Sequence, residues 1–580
     1  MPRLTVSPSS VQKRSSQLRL VRSVQKISFR PFWGGLGLLS LGLIAAQPTP
    51  AQTQAPLNPV IQVGVVQRFG EEPTKTLKLE PLPGDQLVLD FTTQGQPETI
   101  QTTQVEIVVS PQPLPAPALQ ERVVLSSHRS FESAEDSAKQ WQQRGIETEI
   151  AQPRSWEVWA KRDVYSTPLL RRLLLKNIQA QGLSDSYLES QVLAETPKAA
   201  FIANGFRYNR DEVSIRSGNQ RIRVVEAAGD RVQETRLYGG IMRLQPNTYG
   251  TYTLVNDVPI ETYLRGVVPH EIGLGAPQTA IEAQAILART YALRNLRRFA
   301  IDNYQLCADT QCQVYWGVGG AAPASDNAIA TTQGLVLTYQ NELVDALYSS
   351  TAGGITSPFS HVWNGPDRPY LQAVVDSVQG SWDLALRPLG DEQNFRAFIN
   401  LKQGFNEDTW DTFRWQYDSP LPQVNQDIRT YLERRQDPKA AFNQVTGLRV
   451  SERAASGRVQ AVEVQTDAGT VSLVKDEIVR VLSAPRSLLF YIDPIYQELP
   501  PNPNPAPNAA PITPPITGYR FVGGGFGHGV GMSQTGAYRL GNLGWTNDRI
   551  LQFYFPGTTL QPINPNLVLW RDPEEVQQGG

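Results

Sequence analysis

The sequence predicts an α+β protein, rich in strands, with short helices set among them. Three observations carry this. The 44 prolines and 45 glycines favour turns and strands over a helical bundle. Apolar residues alternate in the strand period of two over residues 60–66, 87–89 and 105–109 and again from 201 onward. Helical spacing is confined to short stretches, the clearest being Phe131, Ala134, Ala138 and Trp141. A chain of 580 residues exceeds one ordinary core, so two or more domains are expected. The formal charge of −2 points to no polyanionic partner, and nucleic acid is not expected.

Taken in order, residues 1–32 carry Arg3, Lys13, Arg14, Arg19, Arg22, Lys26 and Arg30 and no acid. An apolar run follows at 33–46, then Pro48 and Thr49-Pro50-Ala51. That layout is a secretory signal over 1–51, with an uncleaved anchor as the alternative. The run is short for a membrane span, which needs about 20 apolar residues. The protein is therefore expected to be exported to the periplasm or cell envelope, meeting the membrane only through this signal.

Residues 57–110 read as a β-rich segment and 111–117, with four prolines in alternation, as a linker. A compact βαβ pattern occupies 118–165: a strand at 123–125, the helix beginning at Phe131 and ended by Gly145, then strands at 146–150 and 156–160. Over 121–162 this order resembles a SPOR domain, which implies binding to glycan strands stripped of stem peptides; a generic small α+β unit fits the same pattern. Residues 166–199, with Leu169, Leu170 and Leu173 to Leu175, read as a helical connector. Strands are expected at 201–208, 222–225, 237–244 and 251–255. A proline-rich insertion spans 499–517.

Four segments carry candidate chemistry. In 258–272, a helix starting near Pro259 is expected to end at Gly266, leaving Glu271 on a loop. The next helix would open at a Thr279–Glu282 capping box and bury Ile281, Ala285, Ala288, Ala292, Leu296 and Phe299. His270-Glu271 does not begin a zinc-protease motif, because Leu274 stands where the second histidine would be. In 307–317, Cys307 and Cys312 either close a disulfide or begin a zinc site. No histidine or third cysteine lies nearby, so a disulfide is expected and no metal. In 348–356, the hydroxyls of Ser349, Ser350 and Thr351 flank paired glycines and suit sugar hydroxyls. In 523–534, glycines surround His528, and Ser533 is placed to cap a helix from Gln534. No Lys-Ser/Thr follows these glycines, which excludes a phosphate loop, and Thr535 excludes a nucleophile elbow.

Together these blocks resemble the SpoIID/LytB family. The likeness rests on Leu264-Arg265-Gly266-Val267-Val268-Pro269-His270-Glu271, the helix from Ala283-Gln284-Ala285 to Ala288-Arg289-Thr290-Tyr291-Ala292, Asp309-Thr310 with Gln313-Val314-Tyr315, Ser349 to Gly354, Gly457-Arg458-Val459, and Gly527 to Gln534. It implies a strand-rich domain over 200–575 with short helices around a glycan groove, and lytic cleavage of peptidoglycan glycan strands, those stripped of stem peptides, to 1,6-anhydromuramyl ends. Glu271 takes the catalytic role and His528 lies beside it. Ser349, Ser350, Thr351, Gln313, Tyr315, Ser533 and Gln534 are the expected substrate contacts. Other members are described as amidase enhancers, so a cell-wall amidase is a second expected partner. Some members hold zinc through a His/Cys cluster; here no histidine precedes the cysteines, and Tyr348 stands where the family has a histidine. No cofactor is expected, with zinc at Cys307 and Cys312 the alternative.

Overall fold

The computed structural model describes residues 57–498, except 73, 184, 230 and 436, and residues 514–571. The expected signal and residues 499–513 of the proline insertion lie outside them. All that follows concerns the unit beginning at Ala55.

The N-terminal strands are β1 (Val60–Phe69), β2 (Lys75–Pro81), β3 (Leu87–Thr93), β4 (Gln96–Thr102) and β5 (Val105–His128). Then come α1 (Phe131–Gln143), β6 (Thr148–Ala151), β7 (Trp156–Ala160), α2 (Pro168–Ala180) and β8 (Tyr187–Ala203). Six strands follow: β9 (Phe206–Tyr208), β10 (Val213–Ser217), β11 (Arg221–Ala228), β12 (Arg231–Gly239), β13 (Ile241–Pro246) and β14 (Tyr252–Pro259). Helices α3 (Ile260–Glu271) and α4 (Gln278–Arg294) lead to the short β15 (Leu306–Cys307). Among the described residues, one sheet runs β15-β1-β14-β13-β10-β3-β4 and another runs β12-β11-β2-β5-β7-β6, with β8 and then β9 added to β5. Leu77, Leu79, Leu89, Ile107 and Phe201 from both sheets share one core.

This pairing redraws the expected boundaries. Residues 57–110 are not a separate segment, since β1 pairs β14 and β3 pairs β10. The limits at 110 and 199 fall inside β5 and β8. The presumed linker 111–117 is strand. Pro111, Pro113, Pro115 and Pro117 recur every second residue, so the missing N–H groups share one edge and the remaining donors share the other. β8 pairs through Pro111↔Pro197 and Pro113↔Glu195, slips, and resumes at Ala118↔Leu193. The connector is half helix: α2 ends at Ala180 and β8 begins at Tyr187. The single strand expected over 237–244 is broken at Gly240, whose φ of +87° turns the chain between β12 and β13.

The compact unit is larger than the βαβ pattern. β5, α1, β6, β7, α2 and β8 form a β-α-β-β-α-β plait in the order β8-β5-β7-β6, all neighbours antiparallel. Phe131, Ala134, Ala138 and Trp141 are the buried face of α1, as their spacing predicts. Ser130 caps α1 by accepting from the Ser133 amide, and Gly145, at φ +79°, follows its end. The plait shares its core with the chain beyond α4. The Trp156 ring lies 5.1 Å from Phe131 and 5.2 Å from Phe299. Arg297 grips Glu135 through two nitrogens at 2.6 and 2.9 Å, and Arg298 pairs with Glu132.

α4 is buried on every face from Ala283 to Arg294, rather than along one stripe. It begins at Gln278 behind Pro277, one residue earlier than expected, and no capping box forms. Glu282 instead accepts from Asn547 at 2.8 Å and from Thr331 at 3.1 Å. The buried arginines of α4 are paired, as desolvated cations must be: Arg289 with Glu261 at 2.7 and 2.8 Å, Arg294 with Glu342 at 2.7 Å and with Asp345 at 2.5 Å. Farther on, Phe490–Tyr496 pairs antiparallel with Ile516–Gly523, so the proline insertion joins two neighbouring strands and interrupts no core element.

Candidate functional site

Glu271 is the last residue of α3, not a loop residue. The helix runs past Gly266 because that glycine is needed for close approach and not for termination. A Cβ there would stand 2.6 Å from the Tyr315 ring and collide with the Gly317 carbonyl. The Gly266 carbonyl accepts from the Trp316 amide at 3.2 Å. Segment 313–317 thus lies across α3 and presents the Val314 amide to the Glu271 carboxylate at 2.7 Å. The Tyr348 hydroxyl also hydrogen-bonds this carboxylate. Burial raises Glu271 to about 7, against these two hydrogen bonds, which favour the anion. Gln534 Nε2 donates to the Glu271 carbonyl at 3.0 Å, and the Tyr538 hydroxyl donates to the Ile272 carbonyl at 2.6 Å, fixing the helix end.

The glycine loop meets this arrangement from the other side. Tyr348–Ser349 pairs in parallel with Met532–Ser533. Ser349 Oγ accepts from the Gly529 amide at 3.1 Å. At Gly531, φ is +74° and a side chain would collide with the Leu347 carbonyl, so the loop needs glycine there. His528 Nδ1 accepts from the Val530 amide at 3.0 Å, and the ring also hydrogen-bonds the Tyr348 backbone. Its ring packs 5.0 Å from Trp363. Burial lowers His528 to about 4, so it is neutral at neutral pH.

Glu271, Ser349, Ser350, His528 and Gln534 line one cleft of about 670 Å³, together with Tyr348 and Trp363. Ser130, Phe131 and Glu132 of the plait form part of its wall. Four expected contacts do not reach it. Gln313 is buried and links Tyr263 to Tyr348, accepting from one hydroxyl at 3.1 Å and donating to the other at 3.0 Å. Tyr315 is fully buried against Tyr263, its hydroxyl 2.8 Å from Asn256. Thr351 is buried with its hydroxyl 2.7 Å from that of Thr412. Ser533 is buried, bonds Glu407, and caps the helix Gln534–Asn542 by accepting from the Gly536 amide at 3.2 Å. These four side chains are buried away from the cleft and bonded within the protein, so they hold the site together and do not meet a ligand in it.

Two buried acids carry no signal in the sequence. Glu407 accepts from the Ala352 and Gly354 amides, both at 2.6 Å, as well as from Ser533. It therefore ties the serine-glycine run to the glycine loop. Asp376 accepts from Asn406 at 2.7 Å and Tyr554 at 2.9 Å, and burial together with the neighbouring Glu407 carboxylate pushes it well above the usual carboxylate range. Neither stands in a block with a chemical signature; only Tyr348, standing where the family has histidine, carried a signal.

Cys307 and Cys312 form a disulfide with Cα atoms 5.6 Å apart. Among the described residues no three His, Cys, Asp or Glu side chains converge as metal ligands. A disulfide offers no thiolate, and Tyr348 replaces the histidine, so this donor set does not fit a zinc centre.

Two families match the chain. Residues 248–339, which contain Glu271, match the Stage II sporulation protein family (SpoIID), and residues 357–531, which contain His528, match a domain of unknown function (DUF8618). Neither match reaches the plait. The chain is 24% identical over 417 residues to the amidase enhancer of Bacillus subtilis, covering 65% of this chain and 53% of that protein. It therefore spans about half the length of that relative. It is 34% identical over 144 residues to the Stage II sporulation protein D of Bacillus amyloliquefaciens, covering 22% of this chain and 40% of that one. To the B. subtilis Stage II sporulation protein D it is 25% identical over 321 residues, 53% of this chain and 75% of the relative. On these matches residues 248–339 carry the Stage II sporulation protein pattern, and the chain is similar to the SpoIID/LytB family.

Proposed function

We propose that this protein acts in the cell envelope on peptidoglycan glycan strands as a lytic transglycosylase, with Glu271 as its acid and base. The observation that carries the reading is a carboxyl group held near pKa 7 by burial at the wall of an open cleft. Such a group is protonated often enough at neutral pH to act as an acid, and its anion is held by the Val314 amide and the Tyr348 hydroxyl. Glu271 gives its proton to the glycosidic oxygen as the bond to the muramyl C1 breaks. The resulting carboxylate takes the proton of the muramyl C6 hydroxyl while that oxygen bonds C1. The products are a free 4-hydroxyl and a 1,6-anhydromuramyl end, and no water is consumed. One carboxyl group suffices, unlike the paired carboxylates of hydrolytic glycosidases. The other cleft acids, Glu132 and Asp476, face the cations Arg298 and Arg480. His528, neutral and bonded to Val530 and the Tyr348 backbone, positions the glycine loop in this scheme.

The likeness to an amidase enhancer favours a second reading, in which the cleft holds glycan and assists a cell-wall amidase. The two readings separate on purified sacculi, with and without stem peptides, analysed by mass spectrometry after incubation. The transglycosylase reading expects 1,6-anhydromuramyl ends, and expects Glu271→Gln to reduce them by about 10²–10⁴-fold. Anhydro ends formed by Glu271→Gln at the parent rate would reject Glu271. No anhydro ends from either protein, with equal stimulation of an amidase by both, would favour the enhancer reading.

A further inference from the structure

The cleft holds three arginines, and they are not equivalent. Arg298 is buried, pairs with Glu132 and donates to the Gln311 carbonyl at 2.9 Å. Arg480 faces Asp476 at 3.8 Å. Arg486 is exposed at the cleft, and among the described residues no carboxylate pairs with it. Its guanidinium lies instead over two aromatic faces, 4.6 Å from the Tyr417 ring centre and 5.9 Å from that of Phe526. Rings hold a guanidinium in place while leaving its N–H fork free for an anion. The position is also tied to the reacting end of the cleft. The Arg486 carbonyl accepts from the Gly527 amide at 3.2 Å, next to His528. His528 bonds the Tyr348 backbone, and Tyr348 bonds Glu271.

A glycan of N-acetylated sugars is neutral except at the lactyl group of muramic acid. With a stem peptide attached, that carboxyl is an amide; with the peptide removed, it is a free carboxylate. Resting on the glycan reading above, we propose that Arg486 binds this free lactyl carboxylate and is the residue that sets the preference for the peptide-free strands the resemblance implies. The fork geometry of a guanidinium matches a carboxylate through two parallel N–H···O bonds and has no such match to a secondary amide.

The test is equilibrium binding in a Glu271→Gln background, which prevents turnover. Three probes are compared: peptide-free strands with lactyl carboxylates, the same strands with those carboxyls converted to methylamides, and chitin oligosaccharides without the lactyl group. The parent is expected to bind the free acid about tenfold more tightly than the methylamide, with the preference shrinking as salt rises. Arg486→Gln should abolish the preference and leave methylamide and chitin binding unchanged, while Arg486→Lys should keep part of it. The Arg486 side chain is exposed and makes no hydrogen bond among the described residues, so an unchanged melting temperature will show that these variants fold. A parent with no preference, or an Arg486→Gln protein that keeps it, would overturn the assignment while the glycan reading stands. Failure of the parent to bind any of the three would overturn the glycan reading itself.

Discussion

The Tyr348 hydroxyl hydrogen-bonds the Glu271 carboxylate and also accepts from Gln313 Nε2 at 3.0 Å. Tyr348 therefore stabilises the anionic form of the candidate acid, and it does so from the position where the family carries histidine. Tyr348→Phe removes that stabilisation and should move Glu271 above its present value of about 7. In the proposed chemistry, activity falls as pH rises through this pKa, because the acid form is lost. The falling limb of the pH–rate profile for anhydro-end release should then shift to higher pH in Tyr348→Phe. An unmoved limb would remove Tyr348 from the proton chemistry.

Glu271 should also be a stability liability with a defined pH window. Its folded pKa, about 7, lies above the ordinary 4.5, so the fold disfavours the ion. The stability it contributes is fully present below pH 4.5 and declines as pH rises to about 7. Glu271→Gln should therefore be more stable than the parent at pH 8, on the order of 1–3 kcal/mol, and about equal to it at pH 4. Denaturant unfolding at the two pH values measures this. Equal stability at pH 8 would mean that the carboxylate is solvated in the free protein.

Asp376 and Glu407 invite the converse comparison. Asp376→Asn keeps an oxygen for Asn406 and Tyr554 and places an N–H toward Glu407, while removing a buried acid whose raised pKa makes stability fall as pH climbs above the usual carboxylate range. Its melting temperature should match the parent near pH 5 and exceed it at pH 9. Glu407→Gln puts an amide donor where the Ala352 and Gly354 amides and the Ser533 hydroxyl all donate, and should cost about 3–5 kcal/mol. A mild Glu407→Gln phenotype would show that the two loops hold together without this acid.

The plait should not be removable. The SPOR-like order covers 121–162, but its Trp156 is 1% exposed between Phe131 and Phe299, and its Nε1 donates to Gln311 at 3.2 Å. Trp156→Ala should destabilise the whole chain by about 3–5 kcal/mol. Deleting residues 121–193 should abolish the near-ultraviolet circular dichroism of the remainder. A truncated protein that melts cooperatively at the parent temperature would show that the plait is a separable module.

Much was legible in the sequence because the signals are local. Period-two alternation marked β1 and β11, and spacings of three and four marked the buried face of α1. The glycines of 523–531 announced a loop that no larger residues can form, and Ser533 announced a helix cap. Glu271 stood out through its block. What local signals misjudged is equally specific. Gly266 reads as a helix end in sequence because its collision partner, the Gly317 carbonyl, is about fifty residues away. The four alternating prolines read as a linker because β8, which pairs with Pro111 and Pro113, lies some eighty residues downstream.

By itself, the sequence determined the strand-rich α+β character, the chemical types gathered in each block and the kinship those blocks carry. Only the tertiary structure decided which of those groups face a cleft and which are bonded within the protein. Ser349 and Ser533 are both serines in marked blocks, yet one borders the cleft and the other is sealed against Glu407. The physical reason is that hydrogen-bond partners, burial and the resulting pKa depend on neighbours brought together from distant segments. Glu271 has a pKa near 7 because Val314, Tyr348 and the surrounding core enclose it, and no local window of sequence contains all of them.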